Sequence, residues 1–103
     1  MSREVRANDE KSRFEIHVDG QVAGFTQYRR HGERADFVHT EIGDEFEGQG
    51  LATELIRAAL DDARTRGWQV LPYCQFVKAF IAKHDDYLDL VPADQRGRFG
   101  LAP

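Results

Sequence analysis

From Arg13 the chain alternates. Phe14, Ile16 and Val18 are separated by Glu15 and His17, the period of two that buries one face of a strand. Asp19-Gly20 follows at once and tolerates the positive φ of a tight hairpin turn, so Val22 to Tyr28 reads as the returning strand. Arg29 to Glu33, with Gly32, reads as a second turn, and Ala35 to Ile42 as a third strand. Strict alternation puts Asp36, Val38, Thr40 and Ile42 on one face of that strand and Ala35, Phe37, His39 and Glu41 on the other. Both faces then mix polar and apolar groups, as in a strand that is part-exposed or lines a cleft.

The pattern changes at the acidic, glycine-punctuated loop Gly43 to Gly50. Leu51, Leu55, Ala58, Ala59 and Ala63, widened by Ile56 and Leu60, recur at helical spacing up to a stop at Gly67. Trp68, Val70 and Leu71 predict a short strand ended by Pro72, with Trp68 as a sheet anchor. A second helix is expected over Gln75 to His84, with Phe76, Val77, Phe80 and Ile81 as its core stripe, and a last short strand over Tyr87 to Val91. This order predicts an α/β (α+β) fold: a mixed, mostly antiparallel sheet with a β-α-β-α C-terminal half. Residues 1–12, apolar only at Met1, Val5 and Ala7, read as a flexible N-terminal arm, 13–91 as the domain and 92–103 as a C-terminal tail.

Composition narrows the function. With 103 residues there is room for one small domain. A net charge of −4, with no basic run longer than Arg29-Arg30, argues against a nucleic-acid partner, whose phosphates need a basic face. The lone Cys74 excludes an intrachain disulfide and a cysteine-rich zinc site, so no metal is expected. The polar start lacks the apolar centre of a signal peptide, and no run of about twenty apolar residues suggests a membrane span. A cytoplasmic monomer or weak homo-oligomer is the expectation.

The chemistry concentrates at Gly48-Gln49-Gly50-Leu51-Ala52, where a strand-loop passes into the longest helix. Amides at a helix start lack internal partners and lie at the positive end of its dipole, so a glycine loop there can hold a phosphate. A nucleoside-triphosphate loop is excluded because Gln49 and Gly50 replace its Lys and Ser/Thr. A dinucleotide fingerprint fails because Thr53 stands where its third glycine belongs.

Glu45-Phe46-Glu47-Gly48-Gln49-Gly50, followed by a helix and preceded by His39-Thr40-Glu41, resembles the pyrophosphate loop of the GNAT superfamily of acetyl-coenzyme A-dependent N-acetyltransferases. Tyr73-Cys74-Gln75-Phe76-Val77 and Ile81-Ala82-Lys83-His84-Asp85-Asp86-Tyr87 extend the resemblance to its minimal, single-domain subgroup. It implies acetyl-coenzyme A as co-substrate, bound by the Ile42 backbone and by Glu47, Gly48, Gln49, Gly50, Leu51 and Ala52. Two departures stand out: Glu45 occupies the family's Gln/Arg position, and Ile81 stands where larger members carry an acid tyrosine. The subgroup has a cysteine near the thiol position, and Cys74 matches it.

Transfer to an amine needs a base for the amine proton and a proton returned to sulfur. Glu41 or His39 is the expected base and Cys74 the acid or acyl carrier, the alternatives being an inert core cysteine and Glu41 and His39 as cross-strand surface partners. Lys83 and His84 read as complements to a helix dipole rather than contacts to coenzyme A. The acceptor is an amine on a small molecule or a protein, because 1–12 is too short to build a closed acceptor pocket. The rival expectations are a coenzyme A-binding module without catalysis and a small interaction domain.

Overall fold

The computed structural model describes residues 2–103. Five strands, β1 Arg3–Asn8, β2 Arg13–Val18, β3 Gln21–His31, β4 Arg34–Ile42 and β5 Gln69–Pro72, form one sheet in that spatial order. All neighbours are antiparallel except β4 and β5, which run parallel through the crossover helix α1, Leu51–Thr65. A second helix, α2, Gln75–Lys83, packs against α1 and against β4 and β5. The mixed, mostly antiparallel α/β architecture is as expected.

One core joins the sheet to the helices. Phe14, Ile16, Ala35, Phe37 and Val70 meet Leu55, Ile56, Ala59, Leu60 and Ala63 of α1 and Val77 and Ile81 of α2. Trp68 anchors the far end of the sheet as expected: it is 6% exposed, against Tyr28 at 5.1 Å and under the Arg30 guanidinium at 4.1 Å. Among the described residues, no helix is long and apolar enough to cross a membrane.

The structure departs from the sequence pattern in five places. Residues 3–8 are an edge strand paired along its length with β2, not a solvated arm. Only Val5 and Asn8 are half-buried there, because an edge strand under one corner of a helix needs little apolar surface. The turn after β3 is Gly32-Glu33 alone, so Arg29 to His31 belong to the strand.

In β4 the register to β3 steps from Gln27↔His39 to Tyr28↔Phe37, leaving Val38 as an extra residue. That bulge reverses the parity. Ala35 and Phe37 face the core before it and Thr40 faces the core after it, while His39 and Glu41 are exposed. Finally, Tyr87 to Val91 is not a strand: Asp85–Leu90 is a 3₁₀ helix whose Tyr87 and Leu90, three apart, both turn inward. The segment 92–103 is not a loose tail either, since it forms two further 3₁₀ turns and buries Leu101 in the core.

On the sheet face away from the core, Glu15 is 7% exposed. Burial alone would raise its carboxyl, but hydrogen bonds from Asn8 (2.9 Å), Arg13 (2.8 Å) and His17 (3.0 Å) outweigh that and hold it at about 2. With a folded value below the ordinary 4.5, its stabilisation is full above pH 4.5 and is lost as pH falls towards 2. Glu15 is expected to account for about 3 kcal/mol of the stability that the wild type loses across that window, and Glu15→Gln to show a flatter acid limb there. Urea melts from pH 5 to pH 2 measure the difference, and coincident slopes for the two proteins would contradict it.

Candidate functional site

Pairing between β4 and β5 stops at Phe37↔Pro72. Pro72 has no N–H to continue the ladder, and the Phe37 carbonyl is taken by the Cys74 amide at 2.8 Å, which turns the chain into α2. From Val38 to Ile42, β4 therefore has no strand on that side. A cleft of about 420 Å³ opens beside it, walled by Thr40, Glu41 and Ile42 of β4, the start of α1, and Phe76 of α2.

The loop after β4 supplies the other wall. Phe46, Glu47, Gly48, Gly50, Leu51, Ala52 and Thr53 all face this cleft. Gly50 caps α1 at φ +73°, a left-handed conformation that glycine adopts without strain, and it brings no side chain to bond the first-turn amides. Those amides stay available at the positive end of the helix dipole. The acids around the loop, Asp44, Glu45 and Glu47, are exposed, and of the three only Glu47 lies on the cleft wall.

A contact the sequence did not suggest fixes the loop from behind. Arg3 of β1 donates to the Gln49 carbonyl at 3.1 Å and pairs with Glu54, the acid of the first turn of α1, at 3.0 Å. Nothing in local patterning reveals a bond spanning 46 residues.

Cys74 is the N-cap residue of α2 and 7% exposed. Its thiol donates to Thr40 Oγ1 at 3.2 Å, behind the cleft wall. On the opposite face of β4, His39 Nε2 and Glu41 Oε1 lie 2.9 Å apart, their side chains 55% and 59% exposed. His39 also packs against the Phe25 ring at 5.9 Å. His39 and Glu41 thus meet each other, while the strand stands between them and Cys74.

A family model described as GCN5-related N-acetyl-transferase matches residues 13–90. The chain belongs to this family. It is a minimal member, close in size to a GCN5-like protein of Staphylococcus aureus solved in solution, with 25% identity, 86% of this chain and 87% of that one covered, and a TM-score of 0.66. Two larger proteins share the fold at 22% identity and a TM-score of 0.52. They are Ard1 from Thermoplasma volcanium, covered over 43% of its length by 59% of this chain, and the ribosomal-protein-alanine N-acetyltransferase of Brucella melitensis biovar Abortus 2308, covered over 61% by 79%.

Within this GNAT domain, the structure gathers Ile42, Glu47, Gly48, Gly50, Leu51 and Ala52 on the cleft, together with Glu41. Gln49 is not on its wall; its carbonyl is held by Arg3. Phe76, expected in the core, is instead 50% exposed on the cleft rim, because Val77, Phe80 and Ile81 already fill the core side of α2. A second cavity of about 190 Å³ between α1 and α2 adjoins the first through Ala52, Thr53 and Phe76, and Lys83 and His84 stand at it. His84 Nδ1 bonds the Phe80 carbonyl at 2.8 Å, which ties it to the helix end as the sequence suggested.

Arg3→Ala removes the rear support of the loop without touching the cleft. Amide hydrogen exchange at Glu54, whose N–H donates to the Gly50 carbonyl at 3.3 Å and closes the first turn of α1, is expected to accelerate about fivefold to tenfold, the loss of roughly one hydrogen bond. Unchanged exchange at this amide would show that the loop holds its shape unaided.

Proposed function

We propose that this GNAT domain transfers an acetyl group from acetyl-coenzyme A to a primary amine carried by a peptide or protein. The observation that carries the reading is the joining, in one cleft, of an unpaired strand edge and a row of uncapped helix amides. The edge from Val38 to Ile42 offers backbone groups to the amides of a pantetheine arm. The first-turn amides of α1, approached over Gly48 and Gly50, suit a pyrophosphate. The exposed acids of the loop reduce that attraction, and the available amides offset them.

The thioester supplies the activated acyl group, and the chain's own residues manage protons. Glu41, with His39 orienting it through their 2.9 Å contact, takes the proton of the attacking amine directly or through water. Cys74, at the positive end of the α2 dipole, either returns a proton to the departing sulfur or accepts the acetyl group before passing it on. Ile81 is 1% exposed in the core, so no acid comes from its position. The exposure of His39 and Glu41 favours an acceptor that brings its own structure, since among the described residues no helix covers that face.

Coenzyme A at a hundred times its dissociation constant is expected to stabilise the protein by about 2.7 kcal/mol. That corresponds to a rise in Tm of roughly 10 °C or more for a domain of this size. Gly50→Val should lose the shift, and Cys74→Ser should keep it while losing at least about tenfold in thiol release over a panel of peptide amines. No shift with coenzyme A at millimolar concentration would remove the cofactor assignment. Binding with no turnover on any amine would leave a coenzyme A-binding module.

A further inference from the structure

Three polar or charged residues, Glu15, Thr26 and Thr40, are buried in the described chain, and two of them meet directly beneath the cleft. Thr26 is fully buried on β3 and Thr40 is 5% exposed on β4, and their hydroxyl oxygens lie 2.8 Å apart as directly paired residues of the ladder. Thr40 Oγ1 also accepts from the Cys74 thiol at 3.2 Å. A continuous chain Cys74–Thr40–Thr26 thus runs from behind the cleft wall into an otherwise apolar core. Valine would fill either threonine site without the cost of burying a hydroxyl. Packing therefore does not explain the pair.

A hydroxyl can donate or accept by rotation alone. With Cys74 as a thiol, S–H donates to Thr40 and the Thr40 O–H donates to Thr26. With Cys74 as a thiolate, the Thr40 O–H turns to donate to sulfur and the Thr26 O–H turns to donate to Thr40. No proton leaves either threonine. We propose that Thr40 and Thr26 form a reorienting hydroxyl pair that serves Cys74 in both its protonation states, which makes Thr40 a positioning residue for transfer.

This inference rests on the reading of Cys74 given above and deepens it. When Cys74 acts as the acid, its S–H bond breaks, a new S–H forms on the departing coenzyme A sulfur, and the charge left on Cys74 meets the turned Thr40 hydroxyl. Cys74 recovers its proton from the amine nitrogen, directly or through Glu41 and water. One proton passes overall from nitrogen to the coenzyme A sulfur. When Cys74 is the acyl carrier, its sulfur bonds the acetyl carbon as the bond to the coenzyme A sulfur breaks, and the amine nitrogen then bonds that carbon as the bond to Cys74 breaks. The amine proton ends on the coenzyme A sulfur, and the same donor stabilises the Cys74 thiolate before and after.

The single cysteine of the chain gives a clean probe, because iodoacetamide alkylation reports on one sulfur. In the full chain, Thr40→Val is expected to slow alkylation at neutral pH about tenfold, the effect of losing one hydrogen bond to a charged group. Its rate-against-pH midpoint should move upward, while Thr40→Ser stays within about twofold of wild type. Thr26→Val, which leaves Thr40 in contact with sulfur, should give a smaller upward displacement and covers the case in which Thr40→Val does not fold. A slowing by one factor at every pH, with the midpoint unmoved in both valine variants, would mean a merely structural pair and overturn the proposal. The two levels of inference separate: Cys74→Ser with full turnover sinks the catalytic reading even where the midpoint moves. An unmoved midpoint beside an inactive Cys74→Ser sinks only the threonine pair.

Discussion

A parallel strand pair that stops partway is what the rest of this molecule is arranged around. At Phe37 β4 and the edge strand β5 still share a ladder; one residue later β4 enters a bulge, and on the other side Pro72 has no amide to offer. The Cys74 amide then takes the last carbonyl of the ladder, at 2.8 Å. Both strands are thereby released at the same level, and the gap between them becomes the cleft. The geometry demands compensation on the β3 side, where Gly24 runs against the end of β4. A Cβ there would sit 2.5 Å from the Glu41 carbonyl oxygen, so only glycine permits the approach.

The bulge also decides what each side chain of β4 does. Without Val38 as an extra residue, Phe37 and Thr40 would lie on opposite faces, and the sulfur of Cys74 would find no hydroxyl at the cleft wall. With it, one short strand presents a hydroxyl inward and an imidazole–carboxylate pair outward, within the tripeptide His39-Thr40-Glu41. The one gap is thus bordered by Thr40 from the core face of the strand and by Glu41 from the other.

Signals confined to short stretches were readable in the amino-acid order. The hairpin at Asp19-Gly20, the amphipathic face of α1 and the glycine loop before it are local, and they placed most of the cleft wall, including Gly48 and Gly50. What escaped depends on neighbours distant in sequence. β1 is polar because it lies at the sheet edge, so alternation could not announce it; Val38 looks like any strand residue until its partner across β3 is known. Phe76 has the spacing of a core residue, and only the filling of the core by Val77, Phe80 and Ile81 leaves it on the rim. The last expected strand failed for another reason, since Tyr87 and Leu90 satisfy a period of three as well as they suit a short apolar run.

The contact between Arg3 and the Gln49 carbonyl has a meaning for folding as well as for shape. The first strand and the glycine loop are separated by 46 residues, and closing so long a span is slow relative to forming a hairpin or a helix turn. α1 can assemble on the inner strands before the outer edge is in place, but the loop acquires its rear support only when β1 has docked. The final geometry of the loop is therefore a late product of folding, set by the strand that is first in the chain.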